Sequence, residues 1–146
     1  MEILLVEDGW TDARVTIFAL RRSRVHHRLT LVRSVSEATA FLRREGIFSR
    51  APQPDLLLLD MMLPDGTGLD VLEAIKSSDA VDESACAITT VVLTASNDPD
   101  LRARCDELCV HDYMKKPVRE EDFMRVVRDH KKLMIHSTPI LEPVLA

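Results

Sequence analysis

Four short strand-like runs in this chain each end at residues capable of ionic or hydrogen-bonding chemistry. Ile3-Leu4-Leu5-Val6 leads into Glu7 and Asp8, and Leu56-Leu57-Leu58-Leu59 into Asp60. Val91-Val92-Leu93 leads into Thr94, and Tyr113-Met114-Lys115 into Lys116-Pro117. Three carboxylates, a hydroxyl and an ammonium group at successive strand ends suit a site that binds a divalent cation and accepts a phosphoryl group. A hard cation such as Mg²⁺ takes a few carboxylates and completes its shell with waters and phosphate oxygens. Phosphoryl transfer asks a protein chiefly to position groups and to neutralise charge on the equatorial oxygens. In that chemistry Asp8 and Asp60 are direct cation ligands, the Met62 carbonyl adds a backbone oxygen, and Glu7 acts mostly through water. Lys116 brings a point charge to the phosphoryl oxygens and Thr94 a hydrogen bond.

Each residue alone has an ordinary reading. Glu7 and Asp8 could complement a helix N-terminus, Asp60 could open a turn, Thr94 could be a plain strand residue, and Lys116 a solvated surface lysine. Their joint occurrence at the ends of successive strands favours the chemical reading. Asp65 and Asp70 are expected to serve the turn and the following helix start.

The elements that must position these groups alternate regularly. Residues 3–6 read as a strand, 10–22 as a helix with Ala13, Ile17 and Leu20 on one face, and 29–32 as a second, edge-like strand. Ser34 and Glu37 have capping-box spacing, ahead of a helix carrying Ala38, Phe41 and Leu42 and ending near Gly46. Residues 55–59 form a third strand, whose four consecutive leucines, 56–59, are expected to be buried on both faces. Pro64-Asp65-Gly66 marks a loop before a helix with Leu69, Leu72 and Ile75. A polar stretch, residues 77–85, precedes a β-branched strand at 88–93. Asp98-Pro99 caps a helix lined by Leu101, Cys105 and Leu108. Residues 112–115 form a short fifth strand, and Phe123, Val126, Val127 and His130 give the last helix its apolar stripe. Five strands alternating with five helices call for parallel pairing and right-handed crossovers.

Composition narrows the functional classes. The chain has 146 residues, 46% hydrophobic and 29% charged, with a formal net charge of -5. That is enough for one domain with a real core, and no basic stripe favours nucleic acid. No apolar run approaches the roughly 20 residues that cross a bilayer, and Met1 leads almost directly into the first strand, so a cytoplasmic location without membrane contact is expected. Cys86, Cys105 and Cys109 form no disulfide framework. Cys105, Cys109 and His111 lack a fourth ligand for a soft metal and are read as packing. Trp10, the only tryptophan, lies two residues after Asp8; its ordinary reading is a partly buried hydrophobe over a helix start, and its fluorescence is expected to respond to Mg²⁺ or an acyl-phosphate analogue.

The chain resembles the receiver domain of two-component response regulators over residues 2 to about 130. The matching segments are ILLVED at 3–8, DLLLLDMMLPDGTG at 55–68, VVLTAS at 91–96 and YMKKP at 113–117. The resemblance implies an α/β fold, a flavodoxin-like doubly wound five-stranded parallel sheet of order 2-1-3-4-5. It implies that Asp60 is the phosphoacceptor and that Glu7, Asp8 and the Met62 carbonyl frame a Mg²⁺ site with it. Thr94 and Tyr113 become a switch pair, Lys116 contacts the phosphate, and the Lys116–Pro117 bond is cis. Met62 and Ser96 match positions that tune dephosphorylation. Residues 1–132 would form the receiver domain and 133–146 a C-terminal tail with no separate output domain. The implied activity is regulatory, limited to assisting its own phosphoryl transfer and autodephosphorylation.

A narrower likeness rests on Asp12, on FLRREGIFSRAPQPDLLLLDMMLP at 41–64 and on DELCVHDYMKKPV at 106–118. These resemble small stand-alone receivers that partner phytochrome-type histidine kinases, often as dimers. The implied partners are a sensor histidine kinase, a histidine phosphotransfer protein if the chain relays phosphate, and a second copy of itself. Gly9-Trp10 and Val110 depart from the commoner residues at their positions. Three other classes fit less well. A haloacid-dehalogenase-like phosphatase needs a second acid two residues after the first, where Met62 stands. A flavodoxin-like electron carrier needs a hydroxyl-rich phosphate loop where Glu7 and Asp8 would repel phosphate. A pseudo-receiver, an unphosphorylated interaction module, would lack some of the acids or the lysine.

Overall fold

A computed structural model describes residues 1–77, 88–95 and 98–134. Five parallel strands form the sheet: β1 (Glu2–Val6), β2 (Arg28–Val32), β3 (Leu56–Asp60), β4 (Thr89–Thr94) and β5 (Asp112–Lys115). They lie in the order β2-β1-β3-β4-β5, the flavodoxin-like order expected from sequence. Helices α1 (Trp10–Arg22), α2 (Val35–Arg43), α3 (Gly68–Ser77), α4 (Pro99–Glu107) and α5 (Glu120–Asp129) connect and follow them, with a single further turn, α6, at Lys131–Met134.

All five residues of β3 are buried. The strand pairs with β1 on one side and β4 on the other, and side chains alternate between the two faces of the sheet. Leu56 and Leu58 enter one core with Ile3, Leu5, Val91, Leu93, Phe123 and Val126, roofed by α1 and α5. Leu57 and Leu59 enter the other with Leu4, Val6, Val92, Phe41 and Leu72, roofed by α2, α3 and α4. Helices on both faces explain the unbroken leucine run: neither face meets water, so no polar alternation is required.

The element ends differ from the sequence expectation in instructive ways. β3 and β4 each run one residue further, so Asp60 and Thr94 are the last strand residues. The helix expected to reach Gly46 stops at Arg43, where Arg44 adopts a left-handed conformation, and Gly46 (φ 58°) opens a separate 3₁₀ turn. His130, expected on the α5 stripe, is instead that helix's C-cap. Leu133, expected at the start of a tail, is 1% exposed and belongs to the core beside α5. Among the described residues Cys105 is buried and Cys109 exposed, and no soft-metal cluster forms. The polar stretch expected at 77–85 lies, from residue 78 on, outside the described residues, as do 86–87, Ser96, residue 97 and residues 135–146.

Capping explains how α2 is held. The Ser34 hydroxyl accepts the Glu37 N–H at 3.1 Å, the first half of the expected capping box. The Glu37 carboxylate accepts the N–H of Arg33 at 3.3 Å instead of that of Ser34. Asp65, assigned from sequence to its own turn, instead accepts the N–H groups of Val35 (2.7 Å) and Ser36 (3.0 Å). Those two bonds hold its carboxyl below the usual range, as expected for an anion at a helix N-terminus. Asp70 does serve its own helix start, accepting the Thr67 N–H at 2.9 Å.

Candidate functional site

Parallel register brings the chemically interesting residues to one edge. Val6 lies beside Leu59, Asp60 beside Leu93, and Thr94 beside Lys115. The residues that follow or close these strands therefore converge at the carboxyl edge of the sheet, where open α/β folds bind ligands. α3 is drawn tightly onto the end of β3: Gly68 donates to the Met61 carbonyl at 3.0 Å. A Cβ at residue 68 would come within 2.7 Å of the Asp60 carbonyl oxygen. Only glycine allows that approach without displacing the acid.

Lys116 is the centre of the charge arrangement. Its Nζ lies 2.6 Å from Glu7 Oε1, 3.2 Å from Asp60 Oδ2 and 3.3 Å from Asp12 Oδ2. It follows β5, with its own N–H bonded to the Thr94 carbonyl at 2.9 Å, and precedes a cis bond to Pro117. The Glu7 side chain is 1% exposed and that of Asp60 12%. Burial pushes the Glu7 carboxyl up to about 7, the hydrogen bond with Asp60 adds to the rise, and Lys116 opposes it. Burial alone would lower Lys116, but its bonds to Glu7 and the charge of Asp60 outweigh that and hold it above its ordinary value. Asp60 Oδ1 faces the Met62 N–H at 3.4 Å, while the Met62 side chain is 80% exposed.

One ammonium thus faces three carboxylates, with Asp8 beside them, and the cluster carries an excess of negative charge. That excess and the all-oxygen donor set fit a hard divalent cation. Among the described residues no three acidic, histidine or cysteine side chains are grouped so as to hold a metal ion by themselves.

Thr94 and Tyr113 border a cleft of about 520 Å³, whose walls also include Leu101, Arg102, Cys105 and Arg125. Tyr113 is held at the α4 side of this space. Its hydroxyl donates to Asp106 Oδ1 at 2.6 Å and lies 3.2 Å from the Arg102 carbonyl, and the Arg102 guanidinium covers its ring at 4.3 Å. Burial, then the bond to Asp106 and its charge, raise the phenol's pKa.

Four contributors were not foreseen from the sequence. Asp12 was noted only as part of a likeness, yet one turn into α1 it reaches Lys116. Asp106 and Arg102 project from α4 at helical spacing toward Tyr113, a signal readable only once α4 and β5 are known to be adjacent. Arg33 bonds to Asp8 through Nη2, at 2.9 Å to the carbonyl and 3.4 Å to Oδ1. Trp10 is 60% exposed, against the ordinary reading of a partly buried hydrophobe.

Comparison with known proteins supplies an independent line. The family model described as "Response regulator receiver domain" matches residues 3–128. Response regulator Rcp1 of Synechocystis is 36% identical over 138 residues, 94% of this chain and 91% of that protein. The phosphorylated cyanobacterial phytochrome response regulator RcpA superposes with a TM-score of 0.74 at 34% identity, covering 94% of this chain and 96% of the other. The Mn(2+)-bound form of Rcp1 superposes at 0.71 with 34% identity, covering 99% and 96%.

Proposed function

Because this chain belongs to the response regulator receiver domain family, we propose that Asp60 accepts a phosphoryl group from the phosphohistidine of a sensor histidine kinase. The supporting observation is the 3.2 Å approach of Lys116 Nζ to Asp60 Oδ2, inside a cluster that also holds Glu7. An Asp60 oxygen attacks phosphorus in line, the phosphorus–nitrogen bond of the donor breaks, and the imidazole leaves. Lys116 meets the equatorial oxygens as charge accumulates on them. Bound by Asp8, Asp60 and the Met62 carbonyl, with Glu7 acting through water, Mg²⁺ would neutralise phosphoryl charge at the same point.

The aspartyl phosphate is then read by packing. The Thr94 hydroxyl bonds a phosphoryl oxygen, and Tyr113 leaves Asp106 and turns into the cleft beside it. The face made by α4, β5 and α5 changes, biasing an equilibrium between two conformations. Likeness to Rcp1 and RcpA favours a phytochrome-type kinase as the donor, acting in the cytoplasm. Output follows through that face, either by return of phosphate to a histidine phosphotransfer protein or by direct binding, a second copy included. Incubation with a small acyl phosphate and Mg²⁺ should add one phosphoryl mass, and chelation or Asp60→Asn should abolish it. Full labelling of Asp60→Asn would contradict the assignment.

A further inference from the structure

We propose that Arg33 is a positioning residue for the cation site: an internal counter-ion that occupies Asp8 and couples the state of that carboxylate to the Trp10 ring. The inference rests on Asp8 as a cation ligand. Parallel register sets Val32 beside Val6, and the Glu7 N–H bonds the Val32 carbonyl at 3.0 Å, so residue 33 emerges next to the acid pair. From there Arg33 Nη2 donates to the Asp8 carbonyl at 2.9 Å and to Asp8 Oδ1 at 3.4 Å. The guanidinium carbon lies 4.3 Å from the centre of the Trp10 ring. Arg33 Nε is buried without a hydrogen-bond acceptor, so the contacts at the tip of the side chain hold the group in place, not satisfaction along its length.

Three groups are thereby tied together: an acid, a cation and an aromatic face. The carboxylate contact is the longer of the two bonds and the first to yield. A divalent cation on Asp8 competes with the guanidinium for the same negative charge and repels it. Displaced from the carboxylate, the guanidinium shifts over the indole, whose quadrupole binds it only weakly at an exposed position. Trp10 emission therefore reports occupancy of Asp8 through Arg33. Arginine suits this role because its planar fork can stack and donate at once, which the ammonium of a lysine cannot do.

The test is a Mg²⁺ titration of the full chain, followed in parallel by Trp10 fluorescence and by calorimetry, in wild type, Arg33→Gln and Arg33→Lys. Wild type should show an emission change with the calorimetric midpoint. Arg33→Gln, which removes the charge, should bind Mg²⁺ roughly three- to tenfold more tightly, as loss of a nearby unit charge in a half-hydrated setting implies. Its emission should respond little. Arg33→Lys, which keeps the charge but not the plane, should bind near wild-type affinity with the emission response lost. Unchanged or weaker binding by Arg33→Gln, or a full emission response in either variant, would overturn the proposal. No Mg²⁺ heat in wild type would remove the cation site itself, and the role of Arg33 with it.

Discussion

Lys116 is where the account is most exposed at the scale of single residues, since one ammonium compensates both buried Glu7 and the proposed nucleophile. Lys116→Ala should slow phosphoryl uptake from a small acyl phosphate by about a hundredfold, the order seen when one preorganised charge-stabilising group is removed. The check is the rate of appearance of the phosphorylated mass. A rate within a few-fold of wild type would show that Lys116 does not meet the phosphoryl oxygens. In the proposed switch, the Thr94 hydroxyl holds the phosphoryl group once it is on Asp60. Thr94→Ala should still take up phosphate, but once phosphorylated it should lose about 1.5–3 kcal/mol of coupling to Tyr113, the usual value of a hydrogen bond to a charged acceptor. Tyr113 is the only tyrosine, so its resonances report that loss directly. A wild-type shift in the variant would sever Thr94 from the switch.

Between elements, the most consequential join is that of β5 to α5. Asp112 accepts from Arg125 at 3.0 and 3.1 Å and faces His130 Nε2 at 2.8 Å. Burial would raise its carboxyl, but the bonds from Arg125 and His130 prevail and hold it below the usual range. A depressed carboxyl contributes stability above its unfolded pKa, and that contribution fades as pH falls through the folded value. Asp112→Asn should therefore cost about 1–2 kcal/mol at neutral pH, discounted for the half-exposed guanidinium. The urea midpoints of variant and wild type should begin to approach each other below the ordinary carboxyl value of 3.8 and converge as pH falls through the depressed folded value. A constant gap between them would assign the cost to packing. In β3, Leu58→Ala should cost about 2–5 kcal/mol by opening a cavity under α1 and α5, read from the same urea curves.

Elements of this kind were legible in the sequence because their cues are local. The leucine run, the Asp98-Pro99 start and the alternation of periods needed no knowledge of neighbours. Asp65 capping α2, Arg33 against Asp8, and Asp106 against Tyr113 were not legible, because each joins residues whose proximity exists only once strand order and register are set. Sequence also misjudged Leu133, since burial of a short turn after the last helix depends on an apolar patch left open beside α5.

For the molecule as a whole, the acid cluster and the cleft bordered by Thr94 and Tyr113 share the same sheet edge. The acids gather where β1 and β3 end, and the switch cleft opens where β4 and β5 end, one strand further along. On the proposed reading, phosphorylation at Asp60 repacks that cleft without any change in fold, through Thr94 at the border between them. The net charge of -5 and the acidic cluster favour a cation at rest and make addition of a further anion a strong perturbation. All of this depends on which atom carries the phosphoryl group. The decisive measurement is borohydride reduction of the phosphorylated full chain followed by peptide mass mapping, which converts an aspartyl phosphate to homoserine at its own position. Homoserine at residue 60 alone is the expected result. Its appearance at residue 8 or 12, or its absence from 60, would contradict the central claim.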